Sequence, residues 1–214
     1  MTKINVDHIY ICHWNKLVER KTHTLEQLSK NNITNFSFVE LYDIDSWNKQ
    51  EIQNEYPKVF GKTNRDKRYL KLSEISLLLK HTWAIKDAYD KKYESIMMLE
   101  DDVEFCDNFT YYFNNFKKQL PIFWDCCWVG SCCGIHIQNI KKNVNVYPAL
   151  SSRCTHCYLL NESGINKIVN HLNNIDTGID WYFNDIIPKL GLNAFWFEPS
   201  LAEQSNKFQT TVQN

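Results

Sequence analysis

The chain has 214 residues with a formal net charge of −1, and 43% of them are hydrophobic, as in a soluble globular protein. The near-neutral charge gives no electrostatic case for nucleic acid or anionic lipid as a partner. Only 6 residues are glycine, and they form neither G-x-G-x-x-G nor G-x-x-x-x-G-K-[ST], which excludes the common glycine-rich phosphate loops.

Hydrophobic periodicity predicts strands that alternate with helices. In chain order, the predicted elements are strand 8–12, helix 16–31, strand 36–42, helix 71–92, strand 94–99, helix 109–120, strand 123–130, strand 155–160, helix 164–172, helix 180–189 and strand 194–199. The β-α-β order at the start implies parallel strands. Residues 46–71 are polar and predict irregular structure, and Ser73 is the expected N-cap of the helix that follows.

These elements predict an α/β protein with one domain over residues 1–205 and a polar tail over 206–214 that frays. No signal peptide and no apolar run long enough to span a membrane is evident, so a cytoplasmic protein is expected, with peripheral membrane association left open. The 8 cysteines are then expected to be reduced thiols. The sequence does not predict the oligomeric state.

Three adjacent acidic residues, Glu100, Asp101 and Asp102, follow the apolar strand at 94–99. In open α/β sheets, ligands bind beyond the carboxyl ends of the strands. Crowded carboxylates repel one another unless a cation binds between them, and Mg²⁺ or Mn²⁺ prefers oxygen ligands. Because residues i and i+2 of an extended segment point the same way, Glu100 and Asp102 are expected to share one metal. The other interpretation is a solvated acidic turn.

Several short motifs follow the order of one known family. The helix SEISLLLKHTWAIKDAY followed by IMMLEDDVEF resembles glycosyltransferase family 25, which includes lipopolysaccharide and lipooligosaccharide glycosyltransferases and collagen galactosyltransferases. Further matches are Glu19-Arg20, Tyr42-Asp43, Trp124-Asp125 with Gly130, Thr155 with Tyr158 and Gly164, Asp180-Trp181, and Pro199 with Gln204-Ser205. The chain departs from the pattern at Ser73, where many members have Gly, and at Lys80, where many have Ser.

The resemblance implies a GT-A fold, a Rossmann-like mixed sheet flanked by helices. It also implies a UDP-sugar donor, a Mn²⁺ or Mg²⁺ ion on a DxD-type motif (here Glu100 and Asp102), and inverting transfer of galactose or glucose to a glycan or hydroxylated acceptor. Lipopolysaccharide biosynthesis is one process in which such a transfer takes place. Nucleotide-binding candidates are Tyr10, Asn15, Arg20, Asp43, Arg65, Arg68, Glu74, His81 and Asp101.

Inversion needs a general base for the acceptor hydroxyl. Asp180 is the first candidate because it precedes Trp181, whose ring can stack on a sugar, and Glu203 is the second. Simpler interpretations stand beside these. Asp180 could cap the following helix, Arg20 could pair with a neighbour on its helix, the basic cluster at 62–71 could be a solvated face, and His81 could be structural.

Two other functions remain open at this stage. A degenerate relative could bind glycans or partners through the same cleft without catalysis. Alternatively, the cysteines could build a zinc-stabilised interaction domain from the C-x-x-C motif Cys154–Cys157 and the pairs Cys126-Cys127 and Cys132-Cys133. The paired cysteines lack the usual zinc spacing, which favours buried free thiols.

Overall fold

The computed structural model describes residues 3–132 and 134–208. Within them, the strands are β1 His8–Cys12, β2 Phe36–Val39, β3 Ser95–Glu100, β4 Val103–Phe105, β5 Cys126–Trp128, β6 Gly130–Ser131, β7 Val146–Ala149, β8 Cys157–Asn161, β9 Ala194–Phe197 and β10 Ala202–Gln204. The helices are α1 Val18–Lys30, α2 Lys49–Glu55, α3 Leu72–Asp90, α4 Phe109–Lys117, α5 Glu162–Val169 and α6 Ile179–Lys189, with a 3-10 turn at Leu172–Asn174. The predicted α/β class is confirmed.

A central mixed sheet of seven strands has the order β2-β1-β3-β8-β5-β9-β7, and a smaller sheet has the order β4-β10-β6. β1 pairs in parallel with β2 and β3, as the β-α-β order predicts. β8 runs antiparallel to β3 and β5. One edge of the central sheet therefore collects the carboxyl ends of β1 and β3 and the amino end of β8.

Buried side chains cover both faces of the central sheet. In β1, Tyr10 and Cys12 belong to a core shared with α3, α5 and α6, whereas Ile9 and Ile11 belong to a core shared with α1 and α4. Side chains alternate between the faces of a strand, so a strand buried on both faces has an unbroken apolar sequence. The sheet therefore lies between two layers of helices, and this packing holds in place the edge at which the strands end.

Four short elements were not predicted. α2 lies inside the polar segment 46–71, where Asn48 accepts a hydrogen bond from the Gln50 N–H and Ile52 is buried. The strands β4, β7 and β10 have 3, 4 and 3 residues, too few for a period-2 pattern to stand out. These strands depend on pairing with distant parts of the chain.

The predicted N-cap of α3 was wrong by two residues. The N-cap is Lys71, and the Glu74 carboxylate accepts a hydrogen bond from its N–H at 2.7 Å. Ser73 lies in the first turn, and its Oγ is buried with no hydrogen-bond partner in the part of the chain that the structure describes. None of the helices in this part is both long and apolar enough to cross a membrane. Residues 209–214 of the predicted tail lie outside the described residues.

Candidate active site

A cavity of about 870 Å³ opens at the edge of the sheet where β1 and β3 end and β8 begins. The acidic triplet Glu100–Asp102 lines it, as expected for residues that follow a buried strand. His13 follows β1, and Thr155 and His156 precede β8, so the same edge brings them to the cavity. Asp180, at the start of α6, completes the acidic lining.

Both carboxylate oxygens of Asp101 are engaged within the protein. Its Oδ2 accepts a hydrogen bond from His13 Nδ1 at 2.7 Å, and its Oδ1 accepts one from Arg20 Nη1 at 2.8 Å. All three side chains are at most 7% exposed. The triplet therefore offers a ligand mainly the carboxylates of Glu100 and Asp102.

Asp102 has one paired and one unpaired oxygen. Its Oδ2 accepts hydrogen bonds from Arg20 Nη1 and Gln204 Nε2, both at 3.1 Å. Its Oδ1 is buried and has no hydrogen-bond partner among residues 3–132 and 134–208. A buried carboxylate oxygen without a donor is costly, and a bound cation would remove that cost.

A single hydroxyl lies between Glu100 and Asp180. Thr155 Oγ1 is 2.9 Å from Glu100 Oε1 and 2.6 Å from Asp180 Oδ1. A hydroxyl carries one proton, so Thr155 can donate to only one carboxylate at a time. Both contacts are hydrogen bonds only when one of the two carboxyl groups is protonated and donates to Oγ1.

Burial and mutual repulsion favour such a retained proton. Desolvation raises the pKa of Glu100 well above its ordinary value, and the charges of Asp102 and Asp180 add to the rise. Desolvation also raises the pKa of Asp180, and the hydrogen bond from Thr155 partly opposes that rise. Perturbed carboxyl groups that converge on a cleft are typical of functional sites.

The lining fits a hard divalent cation shared with a ligand better than a cation held by the protein alone. In the part of the chain that the structure describes, no group of three or more His, Cys, Asp or Glu side chains is arranged to hold a metal ion. Mg²⁺ is usually bound through one or two carboxylates, with phosphate and water completing its shell. The unpaired Asp102 Oδ1 and the carboxylate of Glu100 match that donor set.

Asp180 does not cap its helix. The N-cap of α6 is Gly178, and the Asp180 side chain accepts from Thr155 instead. Trp181, the next residue, is 45% exposed, and the Arg65 guanidinium lies 3.7 Å from its ring centre. Glu203, the second candidate base, lies on β10 between Ala202 and Gln204 and is exposed outside the cavity lining.

Three of the nucleotide-binding candidates, which were predicted to follow β1 and β2, do not line the cavity, and Tyr10 lies within β1 itself. Tyr10 is fully buried in the core, and its hydroxyl donates to Asp87. Asp43 is buried beside Lys80, and its Oδ2 accepts a hydrogen bond from the Asn15 N–H at 3.1 Å. Arg20 does line the cavity, where it pairs with two members of the acidic triplet.

The candidates near α3 have partners of their own. Arg68 pairs with Asp66 and Glu74, and Arg65 lies against Trp181 with Asp185 at 3.6 Å. His81 is buried with Nδ1 at 2.9 Å from the Tyr158 hydroxyl, and burial lowers its pKa to about 3. Of the basic cluster at 62–71, Lys71 lines the cavity.

Sequence reasoning missed His13 and His156 as site residues. His13 directly follows β1, so the rule that placed the acidic triplet at a strand end could have found it. His156 lies inside the C-x-x-C motif, which directed attention to the sulfur atoms instead.

The expectation that the cysteines are reduced was wrong for one pair. Cys132 and Cys154 form a disulfide that lines the cavity. Cys126, Cys127 and Cys157 are buried free thiols within strands, and burial raises their pKa values. Cys133 lies outside the described residues. The C-x-x-C motif is therefore split between a disulfide and a core thiol, which does not support a zinc centre.

Comparison with known proteins identifies the family and the fold. A structure of A197 from STIV is 12% identical, with a TM-score of 0.50, and the match covers 92% of this chain and 81% of that one. A glycosyltransferase involved in the glycosylation of the major capsid of PBCV-1 is 11% identical, with a TM-score of 0.54 and coverage of 94% and 93%. These likenesses confirm the predicted GT-A fold. A search of curated proteins gives no match. The model of glycosyltransferase family 25 (LPS biosynthesis protein) matches residues 6–183, and the chain belongs to that family.

Proposed function

We propose that this glycosyltransferase transfers a hexose, galactose or glucose, from a UDP-sugar to a hydroxyl of a glycan or other acceptor, with inversion at the anomeric carbon. The observation that carries the proposal is the convergence of Glu100, Asp102 and Asp180 on one cavity, with Thr155 between two of them. Carboxylates serve both needs of this reaction, which are a cation site for the diphosphate and a base for the acceptor.

Glu100 and Asp102 are the proposed ligands of a Mn²⁺ or Mg²⁺ ion that the diphosphate shares. When bound, the ion would neutralise the charge that develops on the departing UDP. Arg20 holds Asp102 in place, and it also fixes Asp101 together with His13. The protein therefore positions the Asp102 carboxylate before any ligand arrives, which lowers the ordering cost of binding.

Asp180 is the proposed general base. The acceptor hydroxyl loses its proton to the Asp180 carboxylate while its oxygen attacks the anomeric carbon, and the bond from that carbon to the β-phosphate oxygen breaks. A carboxylate with a raised pKa is a stronger base once it is ionised, which suits it to take a proton from an alcohol. Thr155 donates to Asp180 and keeps its orientation fixed.

The test is binding of UDP measured by calorimetry with and without Mn²⁺, together with turnover of UDP-galactose and UDP-glucose. In Asp102→Asn the amide cannot carry the negative charge that a cation needs, so the dissociation constant for UDP with Mn²⁺ is expected to rise at least about tenfold, or 1.4 kcal/mol. Circular dichroism should show an unchanged fold.

Asp107→Asn is the matched control, because the Asp107 side chain is 87% exposed and pairs with Lys30 on the surface. It should bind UDP as the wild type does. If Asp102→Asn also binds as the wild type, Asp102 is not a ligand. If the wild type shows neither Mn²⁺-dependent UDP binding nor turnover of either UDP-sugar, the enzymatic proposal is wrong, and the non-catalytic alternative takes its place.

A further inference from the structure

His156 lines the cavity and carries a buried hydrogen-bond acceptor. Its Nε2 is 3.3 Å from the carbonyl oxygen of Ala202, and a carbonyl oxygen can only accept, so Nε2 carries the proton. A second proton, on Nδ1, would be a buried donor with no acceptor in the described part of the chain, which favours the neutral ring. In a neutral ring with a protonated Nε2, the other nitrogen, Nδ1, has a lone pair and no proton.

This Nδ1 acceptor is buried and has no hydrogen-bond partner among the residues that the structure describes. The whole residue is 2% exposed, and it lines the same cavity as Glu100 and Asp180. A buried acceptor left without a donor typically costs about 1–3 kcal/mol. A ligand that brings a donor to this place therefore gains more than one that does not.

The backbone around His156 holds the ring in one position. Gly130 of β6 pairs with Ala202 of β10, and a Cβ atom at residue 130 would overlap His156 Nε2 and lie 2.9 Å from the Ala202 carbonyl oxygen. The ring therefore fills the space above a glycine and donates to the neighbouring strand. A fixed acceptor of this kind can select among ligands, because it cannot rotate away from a ligand that brings no hydrogen-bond donor.

The surroundings of His156 determine which donor it accepts. Thr155, the preceding residue, contacts both Glu100 and Asp180, and the charges of Asp102, Glu203 and Asp180 act on the ring. An acceptor in this negative environment disfavours a phosphate group, which is anionic and offers no proton. A neutral hydroxyl group fits both requirements, because it offers a proton and carries no charge.

We propose that His156 Nδ1 accepts a hydrogen bond from a hydroxyl of the transferred sugar, and so helps to select which hexose the enzyme uses. This inference rests on the proposed function, because it assumes that a nucleotide sugar occupies the cavity. It assigns to His156 a role in specificity that is separate from the cation ligands and from the base.

The test compares His156→Gln with the wild type by calorimetry in the presence of Mn²⁺. Glutamine can still donate to the Ala202 carbonyl, but it removes the acceptor at the Nδ1 position. The dissociation constant for the better of UDP-galactose and UDP-glucose is expected to rise about tenfold, whereas that for UDP should change less than about twofold. His156→Asn, whose amide oxygen can lie near the Nδ1 position, should restore part of the loss and serves if the glutamine variant does not fold.

Deoxyfluoro analogues of that UDP-hexose locate the hydroxyl, because fluorine cannot donate a hydrogen bond. One analogue should bind the wild type about tenfold more weakly yet bind His156→Gln no worse than the parent sugar does. Equal weakening of UDP and UDP-hexose, no weakening, or additive losses for every analogue would overturn the inference alone. If the wild type binds neither UDP nor UDP-hexose, the proposed function is wrong, and this inference is wrong with it.

Discussion

Thr155 places one hydroxyl between two carboxyl groups, 2.9 Å from Glu100 and 2.6 Å from Asp180. The contact to Asp180 lowers the pKa of that carboxyl against the larger rise caused by burial. Thr155 thus helps to keep Asp180 ionised in a site that otherwise favours its protonated form. A base in this position must accept a proton in the reaction and still be ionised before it.

Asp180→Asn tests the base at the residue scale. The Asn Oδ1 can still accept from Thr155, but an amide cannot take the proton of the acceptor hydroxyl. We expect kcat to fall by about 10²–10⁴, the usual contribution of general base catalysis, while the dissociation constant of the UDP-sugar changes less than about threefold. Single-turnover kinetics with a saturating acceptor would measure the chemical step directly.

Asp185→Asn is the control for this change. Asp185 lies on the same helix, α6, and its side chain is 55% exposed. Activity of this variant should equal that of the wild type. A wild-type kcat for Asp180→Asn would mean that another group takes the proton, and Glu203 would then be the first to replace.

The structure also shows which site residues a single sequence can reveal. The acidic triplet was predicted because it follows an apolar strand, and Asp180 was predicted because it precedes Trp181, whose ring can stack on a sugar. The partners of the triplet could not be predicted, since Arg20 and His13 reach Asp101 across 81 and 88 residues of sequence. Contacts of that range depend on strand order, which local pattern does not specify.

At the scale of elements, α3 is joined to the end of β2 by one buried lysine. Lys80 Nζ donates to the carbonyl oxygens of Val39 and Leu41, at 3.2 and 2.7 Å, and pairs with Asp43. The Lys80 and Asp43 side chains are 4% and 2% exposed. The departure from the family pattern at Lys80 is therefore matched by a counter-charge. Asp43 also accepts a hydrogen bond from the N–H of Asn15, so the pair supports the backbone at that nucleotide-binding candidate.

Lys80→Met is expected to destabilise the fold by about 3–5 kcal/mol, because it leaves the Asp43 carboxylate buried without a counter-charge. Urea unfolding would measure the change. The double variant Lys80→Met with Asp43→Asn should recover much of the lost free energy of unfolding, since neither partner then carries a charge.

Lys30→Met is the matched control for a surface ion pair. Lys30 and Asp107 have side chains that are 66% and 87% exposed, so Lys30→Met should lower the free energy of unfolding by less than about 1 kcal/mol. If Lys80→Met lowers the free energy of unfolding by no more than this control does, the buried pair does not hold β2 to α3.

At the scale of the whole molecule, the low glycine content agrees with a site that is built from side chains. With only 6 glycines, the sequence carries neither of the common glycine-rich phosphate-binding motifs. The strand order compensates, because it gathers charged side chains from α1, the end of β3 and α6 around one cavity. The fold class and most long elements were predicted from periodicity, whereas the small sheet β4-β10-β6 was not, because none of its strands has more than 3 residues.

The same packing makes stability depend on pH through His81. This ring is buried beside Tyr158, with its Nε2 4.0 Å from Glu100 Oε1, and desolvation lowers its pKa from 6.5 to about 3. The unfolded chain binds a proton at this residue below pH 6.5, whereas the folded protein does so only near pH 3. The stability that the neutral ring contributes is therefore complete above pH 6.5 and is lost as the pH falls toward 3.

His81→Asn removes this titration and keeps an amide group near the Nδ1 position as a hydrogen-bonding partner for the Tyr158 hydroxyl. Relative to the variant, the wild type should lose about 1.4 kcal/mol of unfolding free energy for each pH unit between 6.5 and 3. Urea unfolding of both proteins at pH 8, 6 and 5 would measure the difference, in which the titration of Glu100 and of the other histidines largely cancels. A difference that stays constant with pH would show that His81 takes up its proton equally easily in the folded and unfolded states, and that its burial does not hold the ring neutral.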